Sequence, residues 1–123
     1  MKNYKRSTSE ERMATTHPTT LDIAWAAGLY EGEGYAGPNK GHPYVCLSQN
    51  NPWVCNKLKE LFGGTVRTRE VDKKRNPHIS TVWFCSGSRA SGFIMTIYKF
   101  LSPRRKLQAL LAMERITIPD TSV

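Results

Sequence analysis

Apolar side chains recur at intervals of three and four residues in four segments of this chain, which is the spacing of one helix face. Each segment also carries a start or stop signal, such as a preceding Thr, Asn or Ser or a following glycine pair. Four helices are therefore predicted: about Leu21–Gly32, Pro52–Phe62, Ser88–Leu101, and a last one that starts at Pro103. The inward residues of the last helix are predicted to be Leu107, Leu110, Leu111 and Met113.

Between the helices, polar and apolar residues alternate as they do in strands. Tyr35–Gln49 is predicted to form two short strands around a turn at Pro38–Gly41. Two further strands, 65–71 and 78–85, are predicted on either side of a polar turn at 72–77. The order αββαββαα predicts an α+β fold with one layer of sheet and one layer of helices.

A chain of 123 residues has the length of a single domain that can bury its own core. Residues 1–19 are rich in Thr and Ser and lack an apolar period, so they are interpreted as a flexible polar arm. The domain is predicted to span 20–116, followed by a tail at 117–123. No apolar run reaches the length of a membrane span, so no membrane partner is predicted.

The charge of the chain indicates what kind of partner it binds, because 18 Lys and Arg residues against 10 acids give a net charge of +8. Such an excess favours a polyanion, since Lys and Arg release counterions when they neutralise phosphates. The three cysteines, Cys46, Cys55 and Cys85, form no CxxC pair and lie in apolar patterns. We therefore expect free thiols in a reducing, intracellular compartment and no structural zinc.

The end of the first predicted helix has an unusual charge. Glu31 and Glu33 lie in its last turn, where the helix dipole disfavours anions. Ala24 and Gly28, four residues apart, leave a flat strip that a second helix backbone can approach closely. If two such helices cross, their terminal carboxylates meet and repel unless a cation lies between them. Two solvated glutamates beside a glycine turn remain the alternative interpretation.

The segment Ala26–Gly34, AAGLYEGEG, resembles the LAGLIDADG motif of homing endonucleases, with Glu at both acidic places. The order of elements, the Gly-Gly pair after the second helix and the basic cluster before the last helix extend the resemblance over about residues 20–115. It implies the αββαββα homing-endonuclease fold, with a four-stranded antiparallel DNA-binding sheet and an extra C-terminal helix. It also implies a site-specific double-strand DNA endonuclease that acts as a homodimer on a long, roughly palindromic site.

On this resemblance, Glu33 is the catalytic acid and a metal ligand, with the Gly32 carbonyl as a second ligand. An all-oxygen site without His or Cys selects Mg²⁺, or Mn²⁺ as an alternative, and no small-molecule cofactor is expected. One motif per chain means that the second comes from another copy. The dimer interface is expected to include Leu21, Ala24, Trp25, Ala27, Gly28 and Glu31.

Gln49 and the basic cluster at the start of the last helix are further candidates for a catalytic role. Gln49 matches a place where the family often has a polar residue that orders water, and an ordinary strand-end residue is an equal alternative. Arg104, Arg105 and Lys106 begin the last helix, where the dipole prefers anions, and a bound phosphate would resolve that conflict. The resemblance implies that one of them reaches the scissile phosphate, with Arg105 as the first choice. A solvated basic turn is the other interpretation.

Sequence readout is expected from one face of the sheet, because residues two apart on a strand share a face. Arg67 and Arg69 project together, and arginine suits bidentate contact with guanine. The residues expected on the same face of the other strands are Tyr44, Cys46, Ser48, Thr81 and Trp83. The turn residues expected to contact phosphates are Asn39, Lys40, Lys73, Lys74 and Arg75.

The resemblance thus implies a metal-dependent DNA endonuclease of a mobile genetic element. Its expected place is the cytoplasm of a bacterial cell, including one that hosts a phage, with an organelle as the alternative. A second hypothesis keeps the fold and loses cleavage, which would leave an intron-splicing cofactor or a DNA-binding regulator in which Glu33 is dispensable. A third is an unrelated basic α+β RNA-binding domain.

Overall fold

Helices and strands follow the order αββαββαα in the computed structural model, which describes residues 8–71 and 78–117. Their bounds are α1 Thr20–Glu33, β1 Gly34–Asn39, β2 His42–Gln49, α2 Pro52–Phe62, β3 Thr65–Val71, β4 His78–Ser86, α3 Ser88–Ile97 and α4 Pro103–Thr117, with a short 3-10 turn at Tyr98–Phe100. The predicted order of elements is therefore confirmed. None of the helices in the described part of the chain has both the length and the apolar character for crossing a membrane.

The helices begin and end where local signals in the sequence lie. Thr19 and Asp22 form a reciprocal capping box at the start of α1, with hydrogen bonds of 3.1 and 2.9 Å. Asn51 Oδ1 accepts a hydrogen bond of 2.9 Å from the Trp53 N–H at the start of α2. The same helix ends at Gly63, whose φ of +75° lies in the left-handed region that favours glycine.

The four strands form one antiparallel sheet in the order β1-β2-β4-β3. The β1–β2 turn consists of Lys40 and Gly41, both with positive φ (54° and 82°), as a tight two-residue hairpin turn requires. Gly34 pairs with Leu47 and Gln49 pairs with Thr81. The start of β1 and the end of β2 therefore lie at one end of the sheet, and the β1–β2 turn lies at the other.

The core lies between the helices and one face of the sheet. The strands contribute the buried residues Ala36, Val45, Leu47, Trp83 and Cys85. Trp83 is fully buried, its ring centroid is 4.9 Å from that of Phe93, and its indole N–H donates a 2.8 Å hydrogen bond to the Gly63 carbonyl. Within residues 8–71 and 78–117, no helical layer covers the opposite face of the sheet, which we name the uncovered face.

The predicted inward face of α4 is partly wrong. Leu107 and Leu111 are 59% and 53% exposed, whereas Arg105, Ala109 and Ala112 are buried. Leu110 and Met113 are half-buried. The reason is tertiary: α4 lies across β1 and β2, and its small Ala109 and Ala112 side chains let the helix approach the sheet closely.

Residues 8–19 also depart from the prediction of a free arm. The Gly64 N–H donates a 2.8 Å hydrogen bond to the Arg12 carbonyl, and the Thr15 N–H donates one of 2.9 Å to the Glu60 carbonyl. This N-terminal segment is thus attached to the end of α2 and the start of β3. Residues 1–7 of the predicted arm and 118–123 of the predicted tail lie outside the described residues.

Candidate functional site

The end of α1 passes into β1 without a loop, and Glu33 is its last residue. The Gly34 N–H donates a hydrogen bond to the Tyr30 carbonyl. A Cβ on Gly34 would lie 2.8 Å from Cγ of the buried Tyr30 ring, so only glycine allows this close approach. The Glu33 side chain is exposed at the junction. A buried aromatic ring and a glycine therefore determine where this carboxylate lies.

The end of α1 and the start of α4 are joined by reciprocal hydrogen bonds, which we name the α1–α4 clamp (Glu31, Gly34, Ser102 and Arg105). The Glu31 carboxylate accepts from the Ser102 N–H at 2.8 Å and from the Ser102 hydroxyl at 2.7 Å. In return, Arg105 donates from Nε to the Glu31 carbonyl at 3.1 Å and from Nη1 to the Gly34 carbonyl at 2.8 Å. The clamp therefore holds the backbone on both sides of Glu33.

Electrostatics favours the clamp in both directions. The hydrogen bonds from the Ser102 N–H and hydroxyl lower the pKa of Glu31 below its ordinary value, and the nearby Arg105 adds to this effect. Glu31 also places a negative charge at the N-terminal end of α4, and Arg105 places a positive charge at the C-terminal end of α1. Each charge thus lies at the helix end whose dipole favours it. Two of the unusual charges that the sequence shows at these places, Glu31 and Arg105, are thus compensated within one chain.

The clamp corrects the prediction for Arg105 and gives Glu31 a partner within its own chain. Arg105 is 8% exposed and is hydrogen-bonded to backbone carbonyls and to Gln108, so it is not free to reach a scissile phosphate. The Glu31 carboxylate accepts hydrogen bonds from Ser102 of its own chain, and its place at a dimer interface stays a prediction. Of the neighbouring cations, Arg104 is exposed, and Lys106 is half-buried with Nζ 5.4 Å from the centroid of the Tyr98 ring.

One face of α1 is exposed and has no side chains at two positions, Gly28 and Gly32. Leu21 is 81% exposed, and a Cβ on Gly28 or Gly32 would meet no atom within 4 Å. Trp25 is half-buried and makes an edge-to-face contact of 6.0 Å with Trp53. Glu33 lies beside this face, because it lines the same shallow depression as Trp25, Gly28 and Gly32.

The predicted interface residues divide between this face and the core. Leu21, Trp25 and Gly28 are accessible, and Ala24 is half-buried. Ala27 is 2% exposed and packs in the core of its own chain, so its prediction as an interface residue is wrong. The helical period of α1 turns Ala26, Ala27 and Tyr30 inward together.

In the described part of the chain, the predicted metal ligands at this junction are oxygen atoms. Among residues 8–71 and 78–117, no three His, Cys, Asp or Glu side chains come together as a metal site. The predicted ligands, the Glu33 carboxylate and the Gly32 carbonyl, lie at the exposed end of α1. Gln49 is half-buried at the end of β2, which is the same end of the sheet. This donor set fits Mg²⁺ or Mn²⁺, although one chain supplies a single carboxylate.

The uncovered face of the sheet carries the predicted arginines. Arg67 and Arg69 are exposed, as is Ser48, and Tyr44 and Cys46 are half-buried on the same face. The Arg67 guanidinium lies 5.4 Å from the centroid of the Phe84 ring. Burial raises the pKa of Tyr44 to about 12, so its hydroxyl keeps its proton in neutral solution.

The predicted face of β4 is wrong. Thr81 and Trp83 are fully buried under the helices, so neither contacts a ligand on the uncovered face. The register pairs Arg67 with Val82 and Cys46 with Phe84, which places Val82 and Phe84 on the uncovered face. Both alternating sets of β4 contain large apolar residues, so alternation alone did not identify the inward one.

The structure describes the β1–β2 turn, whereas the residues between β3 and β4 lie outside its described part. Asn39 and Lys40 are exposed in and beside the β1–β2 turn. Lys73, Lys74 and Arg75 lie outside the described residues.

Tyr35, which the sequence did not predict, is 53% exposed and pairs with Cys46, which puts it on the uncovered face. Its place directly after AAGLYEGEG, at an outward strand position, is the signal that identifies it.

No protein-family model matches the chain, and no curated protein matches it. Among solved structures it is similar to the homing endonuclease I-CvuI in complex with the I-CreI target in the presence of 2 mM Mg, in which the DNA is not cleaved. The TM-score is 0.59 at 20% sequence identity, and the similarity covers 79% of this chain. The chain spans 66% of the length of that endonuclease chain. The predicted α+β homing-endonuclease fold, with four antiparallel strands in one sheet, is therefore confirmed.

Proposed function

We propose that this protein is a DNA endonuclease that acts as a homodimer and cleaves duplex DNA with Mg²⁺ or Mn²⁺. The observation that carries the proposal is the position of Glu33. Its carboxylate is exposed at the tip of a helix whose accessible face has no side chains at Gly28 and Gly32, and the α1–α4 clamp holds the backbone on both sides of it. The fold shared with a homing endonuclease that was solved on DNA supports the same conclusion.

The homodimer accounts for two glycines that one chain does not require. Glycine in a helix interior costs about 0.5–1 kcal/mol relative to alanine, yet Gly28 and Gly32 occupy open space on α1. Close approach of a second α1 helix explains their lack of side chains. A two-fold axis between two such helices would bring the two Glu33 carboxylates toward each other, and each chain would supply the oxygen ligands that the other lacks.

A basic sheet face is suited to hold the substrate. Arg67 and Arg69 are exposed on it, and the charge of +8 favours association with a polyanion. In the proposed complex these two arginines contact base edges in the major groove, whereas Asn39 and Lys40 contact phosphates from the turn. The sheet face and the tip of α1 would then present the DNA backbone to Glu33.

The chemistry follows from the residues at the tip of α1. Glu33 and the Gly32 carbonyl would hold a divalent cation, which when bound supplies an activated water and stabilises the leaving 3′ oxygen. Gln49, at the same end of the sheet, would orient a water molecule by hydrogen bonding. Because Arg105 is buried in the clamp, the contact with the scissile phosphate passes to Arg104 at the exposed start of α4.

Replacement of Glu33 by Gln tests the proposal, because it removes the charge with little change in volume. The wild type is expected to cut members of a library of random duplexes in the presence of Mg²⁺, and mapping of the cut ends gives the site. Glu33→Gln is expected to bind such a site and leave it uncut. Glu60→Gln is the matched control, because it neutralises a carboxylate that pairs with Lys57 on the surface of α2.

The same assay separates the proposal from the non-cleaving alternative. Duplex binding without cleavage by the wild type, in Mg²⁺ and in Mn²⁺, would refute the endonuclease and favour a DNA-binding regulator or splicing cofactor. Equal cleavage by Glu33→Gln and the wild type would refute the role of Glu33.

A further inference from the structure

A cavity of about 930 Å³ opens at the end of the sheet that carries the β1–β2 turn, opposite to the end where Glu33 lies. Its walls come from the N-terminal segment, the β1–β2 turn, the start of β3, the end of β4 and the start of α3. Four cations line it: Arg12, Lys40, Arg67 and Arg89. Asn39 and Thr65 add polar atoms, and no acid is found among its described lining residues.

Two of the cations come from outside the sheet and are brought to the cavity by backbone contacts. The Arg12 carbonyl accepts the hydrogen bond from the Gly64 N–H, which attaches the N-terminal segment to the start of β3. A Cβ on Gly63 would lie 2.9 Å from Nε of Arg89, so a glycine at this turn leaves room for that guanidinium. The sequence places Arg12 and Arg89 77 residues apart (89 − 12), and only the fold brings them together.

Four cations around one half-enclosed cavity create a positive potential that favours an anion. Arginine side chains present planar sets of N–H donors that match the oxygens of a phosphate. The cavity is also continuous with the uncovered sheet face, because Arg67 belongs to both and Lys40 lies in the turn at the rim of that face. An extended polyanion on the sheet face would therefore reach the cavity directly.

We infer that this cavity binds a backbone phosphate of duplex DNA that runs beyond the end of the sheet, an inference that rests on the proposed function. β1 has 6 residues, so the cavity lies roughly 20 Å along the sheet from the Glu33 end at about 3.3 Å per residue. That length corresponds to about six nucleotides at roughly 3.4 Å each. Arg12 and Arg89 would thus fix the register of the protein on DNA without reading its sequence.

Salt-dependent DNA binding tests this inference with Arg89→Ala and Arg12→Ala in the full chain. Each is expected to bind a random-sequence duplex roughly tenfold more weakly, and to reduce the slope of log K against log salt by about 0.9. Lys99→Ala is the matched control, because it removes one exposed positive charge from the helical side. Arg89→Lys, which keeps the charge, is expected to retain the slope. If Arg89→Ala and Lys99→Ala have equal affinities and slopes, the inference is overturned.

Titration with inorganic phosphate separates this inference from the proposed function. With ionic strength held by chloride, the Nε–H NMR signals of Arg12 and Arg89 in the wild type are expected to shift saturably, and the Arg12 shift is expected to be lost in Arg89→Ala. If the Nε–H signals shift with phosphate but the salt slopes of DNA binding are unchanged in Arg12→Ala and Arg89→Ala, the cavity binds a free anion. The DNA inference would then be overturned. If both DNA slopes change while cleavage is absent, the inference holds and the endonuclease fails.

Discussion

Replacement of Arg105 by Ala is expected to destabilise the protein far more than replacement of its neighbour Arg104, although the two side chains are chemically identical. Arg105 is 8% exposed and donates hydrogen bonds to the carbonyls of Glu31 and Gly34 at 3.1 and 2.8 Å. Its guanidinium also lies 5.2 Å from the centroid of the buried Tyr30 ring. Arg104 is exposed at the start of the same helix.

The size of the effect follows from these contacts. A hydrogen bond from a charged group contributes about 1.5–3 kcal/mol, and a buried carbonyl left without a donor costs about 1–3 kcal/mol. The cation–π contact with Tyr30 adds about 1 kcal/mol. Water that enters the space left by Arg105→Ala would recover part of this, so we expect a loss of about 4 kcal/mol in the free energy of unfolding. Arg104→Ala is expected to change it by less than about 0.5 kcal/mol.

Urea unfolding, followed by tryptophan fluorescence and by circular dichroism, measures both variants against the wild type. Arg105→Lys keeps the charge but not the planar pair of donors, so it is expected to fall between the two. Its cleavage rate, measured well below its unfolding temperature, is expected to drop because the backbone around Glu33 is held less firmly. A loss below about 1 kcal/mol for Arg105→Ala, with cleavage abolished, would refute this reasoning and return Arg105 to a direct role on the phosphate.

Three further predictions concern the dimer, acid stability and the sheet face. Gly28→Leu is expected to keep the monomer fold and abolish the dimer, as measured by sedimentation. Gly92→Leu, at another open helix position, is expected to leave the dimer intact. A dimeric Gly28→Leu would contradict the proposed contact between the two α1 helices. The pKa of Glu31 is lowered below its ordinary value of 4.5, so its contribution to stability is complete above that pH and is lost as the pH falls through the lowered pKa. Glu31→Gln is therefore expected to flatten the loss of stability in acid, measured by urea unfolding, and an unchanged acid profile would rule out this contribution. Burial raises the pKa of Cys85 to about 12, whereas Cys46 is half-buried on the uncovered face. Iodoacetamide at alkaline pH is expected to label Cys46 before Cys85. Bound duplex DNA is expected to protect Cys46 from the reagent, as measured by mass spectrometry. Equal labelling of Cys46 with and without DNA would place the DNA elsewhere.

The clamp shows how a local conflict in a sequence can be resolved by a distant part of the same chain. Acids at the end of α1 and cations at the start of α4 each oppose a helix dipole when considered alone. In the fold, Glu31 accepts hydrogen bonds from Ser102, which is 71 residues away, and Arg105 donates a hydrogen bond to the Glu31 carbonyl. The second chain and the bound phosphate that the sequence suggests at these two places remain proposals, which rest on the exposed Glu33 and Arg104.

The sequence by itself determined the features that depend on a few neighbouring residues. A threonine cap before α1, the start of α2 at Asn51 and the end of that helix at Gly63 were all readable, because each signal acts on the backbone within one turn. The element order and the exposed arginines of β3 follow from periods of three to four and of two residues. The motif also identified Glu33 as the exposed acid at a helix–strand junction.

Only the tertiary structure decided which face of an element is covered. β4 has apolar residues on both faces, and Trp83 is buried because Phe93 and the Gly63 carbonyl lie on that side. α4 buries Arg105 in place of Leu107 because carbonyls more than 70 residues away need its donors. Such choices depend on partners that approach through the fold, and the free energy of their contacts outweighs the local preference of a side chain for water or for the core.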